Sequence, residues 1–334
     1  MDPKLEGKLV VAISSRALFN LDEAHSIFQE GGLTDYRPYQ IERENEVLPK
    51  GTGFPLVEGL LKLRDESGKE LVEVVLVSRN DADTGLRVMN SVEHYQLSIS
   101  RAVFTDGSNP YEYLQPFDCH LFLSANEEDV KRAIQQGFAA GLVYQPPYSV
   151  DHQTDVVRIA FDGDAVLFSH EAEETYRRDG LERFHDQERE SAEIPLNPGP
   201  FKGFLEALHR IQKLFPENNC PIRTALVTAR SAPAHKRAIK TLRQWDVRVN
   251  ESFFLGGVGK EGVLSVFKPH IFFDDHEMHC IPAAPKLPTA QVPSPANQPT
   301  PLMSPPVEFL GNEKSKKSKR PANRSNNRRR RARA

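Results

Sequence analysis

The chain has 334 residues, 39% hydrophobic and 27% charged, the balance of a globular protein with enough apolar mass for one large core or two ordinary ones. No apolar run approaches the roughly 20 residues that a membrane helix needs, which excludes a membrane-spanning segment. The net charge of −3 hides two opposed parts: residues 314–334 hold 11 Lys and Arg and no acid, so residues 1–313 carry 32 basic against 46 acidic side chains, a net of −14.

In chain order, the charged residues 1–8 lead into the apolar run Leu9–Ile13. That run predicts a buried strand and is too short for the apolar region of a secretory leader. Phe54, Val57, Leu60 and Leu61 follow at helical spacing. The runs 74–77 and 120–123 predict two more strands, each ending in small or polar residues, as parallel strands do when they deliver functional groups at their carboxyl edge. A strand over 156–161 comes next, followed by Asp162-Gly163-Asp164. The charged stretches 171–178 and 181–190 predict a small cap over about 170–200, closed by Pro195, Pro198 and Gly199. Phe201, Phe204, Leu205, Leu208, Ile211 and Phe215 form one helical face. Beyond them come a strand over 225–227, an amphipathic stretch over 235–245 and a strand over 271–273. Nine of the 25 prolines fall in 281–306, which predicts an extended linker with too little apolar surface to offset its ordering entropy. The basic tail follows, a nuclear localisation signal, a solubility tail or a weak polyanion-binding segment.

Three of these segments repeat. Residues 12–19 echo 160–168, 74–79 echo 224–230, and 120–125 echo 270–275, at offsets of 148, 150 and 150 residues. The expected fold is therefore α/β, a doubly wound and mostly parallel sheet, present twice. The expected divisions are a degenerate first domain over 1–150, a catalytic domain over 151–282, and a disordered linker and tail over 283–334.

Chemistry concentrates in the second copy. Asp162 and Asp164 follow a strand end, and Gly163 between them lets the backbone approach a phosphate. Such a pair suits phosphoryl transfer, one carboxylate attacking phosphorus and the other serving as acid and then base. Thr228 ends one neighbouring strand and can hold phosphate oxygens. Asp274 and Asp275 end another, and four acids so gathered call for a hard divalent cation, Mg²⁺ by its preference for oxygen ligands. Lys260, after the Gly-rich segment 255–259, supplies a neutralising charge, although Lys268 also precedes the acidic pair. His276, His279 and Cys280 are too sparsely spaced, and their neighbours too hard, to favour zinc.

The order Asp-X-Asp, Thr, Lys, Asp-Asp resembles the haloacid dehalogenase superfamily of phosphatases. More narrowly, 12–19 (AISSRALF), 160–169 (AFDGDAVLFS), 203–208 (GFLEAL), 227–232 (VTARSA) and 269–275 (PHIFFDD) resemble the cytosolic type I 5′-nucleotidases. The resemblance spans residues 8 to 280 and leaves the linker and tail unexplained. It implies Mg²⁺-dependent hydrolysis of AMP and other nucleoside monophosphates, with Asp162 as nucleophile and Asp164 as acid/base. It also implies phosphate binding by Thr228 and Lys260, and metal ligation by Asp162, the Asp164 carbonyl, Asp274 and Asp275. In the first copy Ser14, Arg16, Ser78 and Ser124-Ala125 stand at the matching positions, so one active site per chain is expected. The first copy then becomes a scaffold, a substrate wall or a nucleotide effector site using Arg16 and Arg79. Three cysteines without metal spacing suit a reducing, cytoplasmic compartment. A homo-oligomer is compatible with the sequence, which does not specify one.

Overall fold

The computed structural model describes residues 5–145 and 155–294; the basic tail and the later part of the proline-rich stretch, from residue 295, lie outside the described residues. In the first half come β1 (Leu9–Ile13), α1 (Ser15–Leu18), α2 (Asp22–Glu42), α3 (Phe54–Leu61), β2 (Val72–Ser78), α4 (Ala82–His94), β3 (Arg101–Phe104), β4 (Leu121–Ser124), α5 (Glu127–Gln135) and β5 (Ala140–Val143). The second half runs β6 (Val157–Phe161), α6 (Glu171–Glu190), α7 (Lys202–Gln212), β7 (Ile222–Thr228), α8 (His235–Gln244), β8 (Glu251–Phe254), α9 (Glu261–Phe267), β9 (Ile271–Asp274), α10 (Glu277–Ala283) and β10 (Thr289–Gln291).

The ten strands form one sheet in the order β3-β2-β1-β4-β5-β10-β9-β6-β7-β8. Every pairing is parallel except β5 with β10. Central strands read as continuous apolar runs because both faces are covered: β1 and β2 are buried at every position, as a parallel sheet between helical layers requires. Helix α7 turns Phe204, Leu205, Leu208 and Ile211 onto the sheet.

Two observations bear on the expected divisions. The described residues of both halves belong to one compact unit, residues 1–298. The folded part also does not end at residue 282: β10, within the stretch read as linker, pairs with β9 on one side and β5 on the other. Its three residues flanked by prolines carry no strand pattern of their own. Without them, however, β5 and β9 would each leave an edge of unpaired backbone in the middle of the sheet. Ala290 and Val292 are fully buried there.

The single antiparallel pairing has a geometric consequence. Strands of the first half run opposite to those of the second, so the two carboxyl edges face opposite ends of the sheet. Equivalent features recur in both halves. A helix after the first strand is broken by a glycine at positive φ, Gly32 in α2 and Gly180 in α6. His120 and His270 each accept, through Nδ1, the backbone N–H of a strand residue, Val10 and Arg158. Among the described residues no helix is long and apolar enough to cross a membrane.

Candidate active site

Strands β9, β6 and β7 lie side by side with Phe161 level with Phe273 and Leu226. The residues at their carboxyl ends are therefore neighbours, one strand spacing apart. Asp162 follows β6 directly, and its N–H donates to the Phe273 carbonyl at 2.8 Å. Thr228 closes β7, Asp274 closes β9 and Asp275 comes next. On the α7 face of the sheet Phe161, Phe201, Phe204 and Phe273 pack ring against ring, with centroids 4.7–6.4 Å apart. On the opposite face of the sheet the Phe272 ring lies 5.8 Å from Lys260 Nζ.

Asp162, Asp274 and Asp275 each offer an oxygen within 4.8 Å of the others, and all three side chains are buried. Lys260, at the entry to α9, sets its Nζ 2.7 Å from Asp162 and 2.6 Å from Asp274. Lys268 is exposed at the other end of that helix, which separates the two lysines that spacing alone left open. Burial pushes Asp162 well above the usual carboxylate range. Lys260 opposes that rise, while Asp274, Asp275 and Asp164 add to it. For Asp274 burial also raises, but Lys260 and His279 outweigh it and hold the group below its ordinary value. Burial works to strip Lys260 of its proton; the Asp162 and Asp274 carboxylates prevail and raise it. The Lys260 ammonium serves two of the buried carboxylates, Asp162 and Asp274, and Asp275 lies 3.0 Å from His276 Nδ1. Three buried carboxylates within ligand distance of one another form an all-oxygen donor set that fits a hard divalent cation.

Between Asp162 and the cap the chain makes one wide turn over Gly163–Leu167, in which Ala165 takes φ +60°, a left-handed conformation uncommon for a residue with a Cβ. Gly163 lies so close to β7 that a Cβ there would sit 3.1 Å from Thr228 Oγ1. Thr228 Oγ1 itself accepts the Arg230 N–H at 3.2 Å. Asp164 is held from the far side. Arg230 donates Nε and Nη2 to its two oxygens at 2.8 and 2.7 Å. The third donor of Arg230, Nη1, goes to Glu188 of α6 at 2.6 Å.

All six sequence-derived site residues thus meet at one edge of the sheet. Arg230, Glu188 and His279 were missed as contributors. Arg230 offered a weak signal, two residues after Thr228 within VTARSA; Glu188, one acid among many in a charged helix, offered none. His279 Nδ1 lies 3.1 Å from Asp274, and Asp274, His276 and His279 form a second close group. The Cys280 thiol points to the Asp274 carbonyl and belongs to neither group.

At the opposite edge, the carboxyl ends of β1, β2 and β4 border a cavity of about 370 Å³ whose lining includes Ser14, Arg16, Phe28, Tyr36, Ser78 and Arg79. No carboxylate stands there at the positions matching Asp162, Asp164, Asp274 and Asp275. Arg79 is already committed, to buried Asp129 and to the Gly107 carbonyl. Arg16 retains a buried Nε with no hydrogen-bond partner among the described residues.

The fold and site define an α/β protein with hard-acid ligands, an ammonium and a hydroxyl converging at the ends of adjacent parallel strands, the chemistry that receives a cation and an oxyanion together. The chain belongs to the 5′-nucleotidase family, whose model matches residues 1–299. It is 41% identical over 288 residues to human cytosolic 5′-nucleotidase 1B, an alignment covering 83% of this chain and 47% of that protein. The chain spans about half the length of that relative. No solved structure matches it.

Proposed function

We propose that this protein is a haloacid dehalogenase-like 5′-nucleotidase that hydrolyses nucleoside 5′-monophosphates through a phosphorylated Asp162. The observation that carries this reading is Asp162 at a strand end, buried against Lys260 and within ligand distance of Asp274 and Asp275. Asp162, Asp274, Asp275 and the Asp164 carbonyl would hold Mg²⁺. When bound, the ion supplies positive charge and lets these acids and a phosphate dianion coexist.

In the first step an Asp162 oxygen attacks phosphorus and the P–O5′ bond breaks, while Asp164 gives its proton to the departing 5′-oxygen. In the second step water attacks the phosphorus of the aspartyl-phosphate and its proton passes to Asp164. Phosphate leaves and Asp162 is restored. The Arg230 fork holds both oxygens of Asp164 and fixes the direction of its carboxyl toward the site. Lys260 and Thr228 hold the phosphoryl oxygens as charge redistributes. The cap helix α6 shields the site from water.

A duplicated ancestry with a stripped first copy is supported by the mirrored strand orders and by the Gly32/Gly180 and His120/His270 pairs. A nucleotide effector in the first half would rest on Arg16 and the aromatic cavity wall rather than on Arg79. A cytosolic setting agrees with the unpaired Cys119, Cys220 and Cys280 and with the human relative's name.

Asp162→Asn should reduce turnover of AMP to background, and thorough chelation of divalent ions should do the same to the unaltered chain. Full activity in either case sinks the mechanism. A panel of monophosphates tests the substrate: strong preference for a sugar phosphate over AMP would move the assignment to another small phosphorylated metabolite.

A further inference from the structure

Helix α6 presents an imbalance. Beyond its break at Gly180, the segment 181–190 is mostly exposed and charged, and its one fully buried side chain is a carboxylate, Glu188, at 1% exposure. Glu188 accepts from Arg230 at 2.6 Å and from Arg237 of α8 at 2.8 Å. Arg230 is itself 4% exposed, and the Phe168 and Phe184 rings flank its guanidinium at 5.9 and 5.8 Å. A buried carboxylate without its cations is strongly disfavoured, and so is a buried guanidinium without its acids. This segment of the cap therefore docks through the same guanidinium that grips both oxygens of Asp164. Removing Glu188 frees one arm of Arg230 and the planar fork loses the anchor that fixes its direction.

We infer that Glu188 is a positioning residue: through Arg230 it sets the carboxyl of Asp164, so that docking of α6 and readiness of the acid/base are one event. The inference rests on the reading of Asp164 given above and deepens it. It makes cap closure a chemical switch as well as a shield, because a lifted α6 would leave Asp164 with a loosened partner and the leaving oxygen without a well-aimed proton.

The test uses the full chain with Mg²⁺ and two substrates that differ in their need for that proton. The 5′-oxygen of AMP leaves as a poor alkoxide unless protonated; 4-nitrophenolate leaves unaided. Glu188→Ala should lower the single-turnover rate with AMP by roughly 10²-fold, while the initial burst of nitrophenolate from 4-nitrophenyl phosphate changes by less than about threefold. Glu188→Gln, which keeps the shape and one acceptor, should recover part of the loss. Arg237→Ala removes the other partner of Glu188 without touching the Asp164 clamp, and should leave the ratio of the two rates at its wild-type value. If Glu188→Ala does not fold, Arg230→Lys, which keeps the charge and loses the fork, should give the same selective loss.

An equal fall with both substrates, or an undiminished AMP rate, overturns the inference and leaves the nucleotidase reading intact. A wild-type chain that hydrolyses neither substrate overturns both.

Discussion

Three acids packed beneath 10% exposure, two of them against the Lys260 ammonium, set the electrostatics of this protein at the scale of the residue. Asp162 is raised well above the ordinary carboxylate value, chiefly by burial. The folded state therefore holds that proton more tightly than the unfolded chain does, and this group's contribution to stability declines as pH rises through the interval between the two values. Asp274, held below its ordinary value, contributes in the opposite sense: its stabilisation is present above the unfolded value and is lost as pH falls through the folded one. A divalent cation at the cluster would replace the proton that Asp162 favours. Adding Mg²⁺ at 100 times its Kd should stabilise the chain by about 2.7 kcal/mol, read as a rise in Tm at neutral pH. The rise should shrink as the medium is acidified and protons compete for the same oxygens. An Mg²⁺ shift that is absent, or equal at both pH values, would show that these carboxylates are not the ligands. Asp162, Thr228, Asp274 and Asp275 were legible in the sequence because each sits at or just beyond the end of an apolar strand. Lys260 was not separable from Lys268 by spacing; only the turn into α9 distinguishes them. Glu188 was illegible, since its partner lies 42 positions away and charged helices seldom turn an acid inward.

At the scale of the element, the contact that decides the architecture is β5 against β10. A Cβ at Gly141 would sit 3.0 Å from Ala290 Cβ and 3.1 Å from the Phe273 ring, so any side chain there makes the seam shift by a few tenths of an ångström. Gly141→Val, although valine favours strands, should destabilise the protein by about 1–3 kcal/mol through overpacking, measured by denaturant unfolding. It should also weaken catalysis, because Phe273 directly precedes Asp274 in β9 and its carbonyl accepts the Asp162 N–H. A neutral or stabilising effect would mean that the seam is looser than its geometry indicates. The repeated strands were visible as repeated apolar runs. The seam was not, because β5 and β10 are short, small-residue strands that hold their conformation by being paired on both sides.

For the whole molecule, the antiparallel seam turns the two halves head to tail within one sheet. The carboxyl edge of the first half therefore cannot wall the catalytic pocket, and its own cavity opens at the other end. The first half supports β10 through β5 and hosts a separate cavity. That pairing also moves the boundary for truncation. A chain ending at residue 285, expected from composition to keep full turnover, would lose β10 and expose the edges of β5 and β9. It should fail to fold or should aggregate. A chain ending at residue 298 should keep the turnover of the complete chain. Equal activity of the two would mean that β10 is dispensable, and loss in both would mean that residues beyond 298 contribute to the fold.

What the sequence determined by itself was local. Apolar runs closed by small or acidic residues identify strands and the groups at their ends, because burial on both faces and chemistry at one edge leave a mark in consecutive positions. The tertiary structure alone decided what depends on distant partners: which lysine lies against Asp162 and Asp274, which buried acid holds the arginine behind Asp164, and how a proline-flanked tripeptide joins two half-sheets. Those choices are settled by desolvated charge needing a counter-charge and by backbone groups needing a partner, and neither demand is written at the position that satisfies it.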